Sequence, residues 1–146
     1  MAEDLRVELG DWAALGARAA AVRHAVFVEE QQVPAAMELD EFDPLSLHAL
    51  ALGRAGAVLG TGRLLPDGHI GRMAVLRQAR GSGVGSALLR ALMQAARRRG
   101  DRELMLSAQT HAIGFYERFG FVAEGEQYDD AGIPHRAMRL VLQGFS

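Results

Sequence analysis

The chain has 146 residues, 49% of them hydrophobic, with 16 basic and 18 acidic side chains and a formal charge of -2 at neutral pH. That size suits one domain around one core, expected over residues 1–146, and the charge argues against nucleic acid as the main partner, because such domains carry a basic face. Cysteine and lysine are both absent, which excludes disulfides, thiolate metal sites, a cysteine nucleophile, a lysine Schiff base and a lysine-bearing phosphate loop.

No apolar run approaches the roughly 20 residues needed to span a bilayer. The opening Met1-Ala2-Glu3-Asp4 is acidic, unlike the basic start of a secretion signal. A cytoplasmic protein without membrane or metal is the expectation.

Leu5, Val7 and Leu9 alternate with polar residues and predict a first strand. Asp11 can cap a helix, and Trp12, Leu15, Ala19, Val22 and Val26 follow at spacings of three and four, predicting helix from Asp11 to about Glu30. Pro34 closes that segment. Residues 35–46 are acidic and aperiodic, with Glu38, Asp40, Glu41 and Asp43. They are either a solvated loop or an acidic rim that attracts a cationic amine and supplies a base.

Leu47–Leu52 and Ala57–Leu65 are apolar runs joined by a hairpin signal at Arg54-Ala55-Gly56. Pro66-Asp67-Gly68 is a second turn, and Ile70–Val75 returns as a third strand of the meander. Gly81, Gly83 and Gly85 follow, then a helix from about Gly83 to Arg99, ended by Gly100-Asp101. Leu104–Ser107 reads as a buried strand. Thr110 is expected to cap a brief helix from His111 to Phe119, stopped by Gly120. Phe121-Val122 begins another strand, Tyr128–Pro134 makes a turn, and His135–Leu142 alternates as the last strand. The order is β-α-β-β-β-α-β-α-β-β, an α/β (α+β) arrangement without repeat or linker.

The glycine turn between strand and helix is the main chemical signal. The first N–H groups of a helix lack internal partners and face the positive end of its dipole, and glycines let an anion approach them closely. A dinucleotide is a poor fit. Its third glycine would fall at Ser86, and its ribose acid would stand at the end of the next strand, whereas Glu103 stands at the start.

Gln78-Ala79-Arg80-Gly81-Ser82-Gly83 resembles the Q/R-x-x-G-x-G/A signature of the GNAT acyltransferases, and Phe115-Tyr116-Glu117-Arg118-Phe119-Gly120-Phe121 resembles their F-Y-x-x-x-G-F. Both lie in the right order on matching elements. Arg23–Gln31, Glu38-Leu39-Asp40, Leu106–Gln109 and Asp130–His135 resemble the ElaA-like branch of that family. The resemblance implies a mixed, mostly antiparallel central sheet flanked by helices, and acetyl-CoA as co-substrate.

It further implies that backbone groups of Gln78, Ala79, Arg80, Gly81, Ser82, Gly83, Val84, Gly85 and Ser86 hold the pyrophosphate. The pantetheine would lie along Met73, Ala74 and Val75, with His111 and Phe115 beside it, and an N–H near Ala74 or Val75 would meet the thioester oxygen. His111 is taken to stand where many relatives carry asparagine, with Gln109 as a possible replacement. Tyr116 falls where the family places the acid for the leaving sulfur; read from the residues alone, Ile113, Phe115, Tyr116 and Phe119 are equally an apolar helix side.

Glu30, Glu38, Asp40, Asp43 and His135 are candidate bases. Arg23, Phe27, Glu38, Asp40 and Arg63 flank the acceptor side, where the two arginines either bind a substrate carboxylate or pair with the acidic stretch. Arg23, Phe27, Asp40, Asp43 and Gly62–Pro66 are also reminiscent of acylhomoserine lactone synthases. A non-catalytic acyl-CoA-binding domain is the third reading. By family analogy, a homodimer is expected.

Overall fold

The computed structural model describes residues 4–142. Its strands are β1 (Arg6–Gly10), β2 (Leu47–Leu52), β3 (Val58–Leu64), β4 (His69–Val75), β5 (Glu103–Gln109), β6 (Val122–Asp130) and β7 (Ile133–Val141). They form one sheet in the order β1-β2-β3-β4-β5-β7-β6. Every neighbouring pair is antiparallel except β4 and β5. The helices are α1 (Trp12–Arg23), α2 (Ala35–Glu38), α3 (Val84–Arg99) and α4 (Ile113–Glu117). No helix among them is long and apolar enough to cross a membrane.

Alternation along the strands sorts the core onto two faces. In β2, Leu50 and Leu52 pack with Leu15 and Ala19 of α1. Ala49 and Ala51 turn the other way, toward Leu88, Leu89 and Leu92 of α3. A period of two on the strand thus feeds two helices from one apolar run. Asp11 accepts from the Ala14 N–H at 2.9 Å and starts α1. Gly100, at φ 89°, ends α3 in the left-handed region, and three arginines occupy its last turn.

Four local expectations change. The first helix is α-helical only to Arg23. It continues as a π-helical turn over His24–Glu30, where the Gln31 N–H reaches back to the Val26 carbonyl at 3.0 Å. The acidic stretch is not an irregular loop, since it holds α2 and a 3-10 turn at Asp43–Leu45. The last hairpin turn shrinks to Ala131 and Gly132, at φ 53° and 79°. Positive φ at both positions matches the twist of the flanking strands, so β6 and β7 extend to meet there. Thr110 does not cap its helix through its side chain.

Two irregularities shape the middle of the sheet. β4 pairs with β5 only at His69↔Met105 and Ile70↔Leu106, so the two strands splay beyond Ile70. Between β3 and β4, Thr61 faces Ala74 and Arg63 faces Gly71, leaving Arg72 and Met73 opposite Gly62 alone. This is a bulge, and Arg72 sits at φ 49° within it. Replacing Leu92, fully buried between α3 and the sheet, by alanine is expected to cost about 2–5 kcal/mol. The urea midpoint of unfolding measures that loss, and an unchanged midpoint would contradict the packing described.

Candidate active site

The splay of β4 from β5 opens a cleft of about 810 Å³ through the sheet. Phe27, Glu30 and Gln31 from the π-helical turn, Met73–Val75 of β4, Gln109 of β5, and Tyr116 and His135 all line it.

On one side the glycine turn meets α3. The first N–H of this region bonded within the helix belongs to Ala87, which donates to the Gly83 carbonyl at 3.0 Å, so those of Val84, Gly85 and Ser86 have no intrahelical acceptor. Gly81 and Gly83 have φ of 80° and 87°, and a Cβ at either would meet no atom within 4 Å. The chain therefore leaves open space in front of a 16-residue helix. The signature also fits in a second register, Arg80 to Gly85. Because α3 begins at Val84, this register carries the signature onto the helix's first turn, whereas Gln78–Gly83 stops short of it.

The edge of β4 is unpaired where it borders the cleft. Leu76 donates its N–H to Leu59 at 2.9 Å, so alternation turns the N–H and carbonyl of Val75 away from β3. Arg80 Nε donates to that carbonyl at 3.0 Å. The Val75 N–H is left as a free donor, and a strand edge with a free backbone group is a template for an extended ligand arm. Open helix N–H groups and open glycine space suit an anion, and the strand edge beside them suits an extended arm.

Tyr116 reaches the cleft from α4 and is largely buried. Phe115, Phe121 and the apolar core surround it. Desolvation pushes its phenol up to about 12, so it stays protonated and remains a donor. His135 lies across the cleft. Its Nδ1–H donates to the Ile133 carbonyl at 2.7 Å, and its ring stacks on Tyr128 at 6.0 Å. That tautomer leaves Nε2 with a lone pair. Tyr128 is itself held by a hydroxyl contact to Ser107.

Glu30 also lines the cleft, but its carboxylate is gripped by Arg80 through two contacts of 2.6 Å. Those bonds, more than the burial that opposes them, hold its pKa below 4.5. A carboxylate so held is a weak proton acceptor. His111 is an exposed residue at the cleft edge. Gln109 exchanges amide hydrogen bonds with Gln31 at 2.9 and 3.3 Å, joining β5 to the π-helical turn.

The acidic stretch is drawn onto three arginines. Arg23, 1% exposed, bonds Glu38 at 2.5 Å, Asp43 at 2.7 and 3.1 Å, and the Glu38 carbonyl at 2.9 Å. Arg63 takes Asp40 at 2.7 and 3.0 Å and Asp43 at 2.9 Å. Arg72 takes Asp40 and the Glu38 carbonyl, each at 3.0 Å. His48 Nε2–H donates to the Asp43 carbonyl at 2.9 Å, its ring stands 4.9 Å from Trp12, and burial keeps its pKa low. Glu38 and Asp43 are therefore neither solvated nor free to meet an amine.

Arg72, Trp12 and His48 did not emerge from the sequence as site residues. The available signal was a polar residue inside an apolar run: arginine within Ile70–Val75 and histidine within Leu47–Leu52.

Residues 14–142 match the family described as the acetyltransferase (GNAT) domain. The uncharacterized N-acetyltransferase YjcF of Bacillus subtilis is 40% identical over 121 residues, covering 80% of this chain and 86% of its own. Protein ElaA of Escherichia coli is 33% identical over 131 residues, covering 84% and 85%. The solved acyl-CoA N-acyltransferase of Pseudomonas aeruginosa is 36% identical and covers 92% of this chain and 98% of its own, with a TM-score of 0.82. A CoA-dependent acyl-homoserine lactone synthase solved with SAM and isopentyl-CoA has a TM-score of 0.76 over 95% and 84%, at 17% identity; that likeness concerns the fold alone.

Burial by itself would raise the pKa of Asp43, yet the bonds from Arg23 and Arg63 outweigh it and hold the carboxyl below 3.8. Asp40, held by Arg63 and Arg72, behaves alike. A group with a depressed folded pKa contributes stability above its unfolded value and loses it as the pH falls through the folded one. Stability is thus expected to drop below about pH 4. Asp43→Asn should cost about 3–5 kcal/mol at neutral pH, by leaving buried arginine charge uncompensated, and should flatten the acid limb. Urea titrations of both proteins at several pH values check this; a parallel acid limb in the variant would remove the role assigned to Asp43.

Proposed function

The chain belongs to the acetyltransferase (GNAT) domain family, and from that premise we propose that it transfers the acetyl group of acetyl-CoA directly to a primary amine of a small molecule or peptide. The supporting observation is the open glycine turn at the N-terminus of α3, whose leading residue Arg80 lines the same cleft as the diverging edge of β4 and Tyr116. We take residues 1–146 as one acyltransferase domain working in the cytoplasm.

In this reading Val84, Gly85 and Ser86 bind the pyrophosphate through backbone N–H groups, where the helix dipole is positive. Beyond its bonds to Glu30 and Val75, Arg80 keeps two guanidinium N–H groups that add charge-assisted bonds. Bound acetyl-CoA supplies an activated thioester, whose carbonyl carbon forms the new C–N bond as its C–S bond breaks. The Val75 N–H donates to the carbonyl oxygen and stabilises the charge that develops there. His135 Nε2 accepts the proton that the ammonium must lose before it becomes a nucleophile. Tyr116 donates its phenolic proton to the leaving sulfur. Burial keeps the phenol protonated at working pH, so its proton is in place when the sulfur leaves.

His135 is preferred over Glu30 as base because its acceptor nitrogen is free, while both carboxylate oxygens of Glu30 are engaged by Arg80. The lactone-synthase reading draws on Arg23, Asp40, Asp43 and Arg63 meeting in one cluster. Their carboxylates are all engaged by arginine, and the one donor left over, Arg63 Nε, is buried without a partner, so the amine reading carries further.

Gly83→Val is expected to abolish acetyl-CoA binding by calorimetry, since it fills the open space before α3 and strains a left-handed position; retained binding would remove the cofactor assignment. Tyr116→Phe should bind acetyl-CoA but lose about 10²–10⁴-fold in kcat. A thiol-release assay reads that loss, and full activity would mean that the sulfur leaves without this donor.

A further inference from the structure

The acceptor half of the cleft is bordered by the segment that the three arginines strap down. The carboxylates there are spent: Glu38 on Arg23, and Asp40 on Arg63 and Arg72. Glu30 is spent on Arg80. Among the described cleft-lining carboxylates, only Asp130 forms no ion pair. A polycationic acceptor therefore finds one free counter-charge. An anionic acceptor fares no better, because the cluster's three arginines are matched by three carboxylates.

The same segment carries the opposite feature. Met37 is 51% exposed and Phe42 is 42% exposed, and both line the cleft. Large apolar side chains held open to water at a concave site mark a surface that binds something apolar. Phe27, Val33, Leu65 and Ile70 continue this lining inward. The straps give the exposure its meaning. Arg23, Arg63 and Arg72 hold Glu38, Asp40 and Asp43 in place, so Met37 and Phe42 are prevented from collapsing onto the core.

Resting on the reading above, we infer that the acceptor is a primary amine on an apolar, aryl or alkyl, body, which packs on Met37 and Phe42 while its nitrogen turns toward His135. The amine belongs either to a small arylalkylamine or to a peptide with an apolar N-terminal residue.

The test uses the full chain with saturating acetyl-CoA for turnover, and with coenzyme A present for calorimetry. The probes are phenethylamine, spermidine, β-alanine, and tripeptides beginning with phenylalanine or glycine. Phenethylamine or the phenylalanine tripeptide is expected to bind at least about tenfold more tightly than spermidine and β-alanine, the scale of burying part of a phenyl group. Phe42→Ser and Met37→Ser should each weaken that binding by about five- to tenfold for the same reason. Their melting temperatures should fall by only a few degrees, because about half of each residue is already exposed.

Preference for the free arylalkylamine over the peptide, or the reverse, identifies the source. Tighter binding of spermidine or β-alanine, no binding of any apolar probe, or unchanged binding in both serine variants overturns the inference. If acetyl-CoA itself does not bind, the acetyltransfer reading fails instead. Calorimetry with the apolar amine alone still decides whether the surface takes it.

Discussion

The site depends on a refusal to pair. β4 and β5 run parallel and share only two residue pairs before diverging. Fully paired strands would satisfy each other's backbone groups and close the sheet. Diverging strands leave polar backbone exposed in the middle of a domain, which is costly unless water or a ligand meets it. The bulge opposite Gly62 contributes to that divergence. It adds one residue to β4 and resets its alternation. Ile70 before the bulge and Met73 and Val75 after it all pack with the α3 side, while Ala74 packs with Val22 and Val26 near α1. Arg72 is the residue that absorbs the shift. Its left-handed backbone lies outside the usual range for arginine, and its side chain bonds the acidic segment.

That segment is held by charge rather than by apolar packing. Leu39 and Leu45 remain exposed while Glu38 and Asp43 are buried, the reverse of the usual preference. Buried ion pairs contribute little net stability compared with apolar replacements, because desolvation offsets their attraction. They do fix geometry. Arg23 meets Asp43 with two nitrogens, and Arg63 meets Asp40 with two, a pairing that sets direction as well as distance. The outcome is a rigid rim with an apolar face toward the cleft.

Donor and acceptor sides are also linked. Arg80, from the glycine turn, bonds both the Val75 carbonyl and Glu30 of the π-helical turn. Gln31, next in the chain, bonds Gln109 on β5. The widened helical turn is therefore tied to both arms of the splay. A regular α-helix would rotate Phe27, Glu30 and Gln31 out of this register, which accounts for the π geometry at a functional edge.

Element order and the glycine turn were legible in the sequence, because each rests on local periodicity or on a backbone preference that few residues satisfy. The alternation of Leu5, Val7 and Leu9, the three-and-four spacing through α3, and Gly81 and Gly83 are signals of that kind. Tyr116 and His135 were legible as candidates by motif and by chemistry. Their environments were not, since burial and tautomer belong to contacts with distant residues. The acidic stretch was the most ambiguous part. Composition alone could not separate a solvated rim from a buried network, because the deciding partners, Arg23, Arg63 and Arg72, lie up to 34 residues away along the chain. Only the tertiary structure brought them together. It did so by bringing α1 and β3, which carry Arg23 and Arg63, to the segment, and by a one-residue bulge in β4 that holds Arg72 and that no periodicity announces.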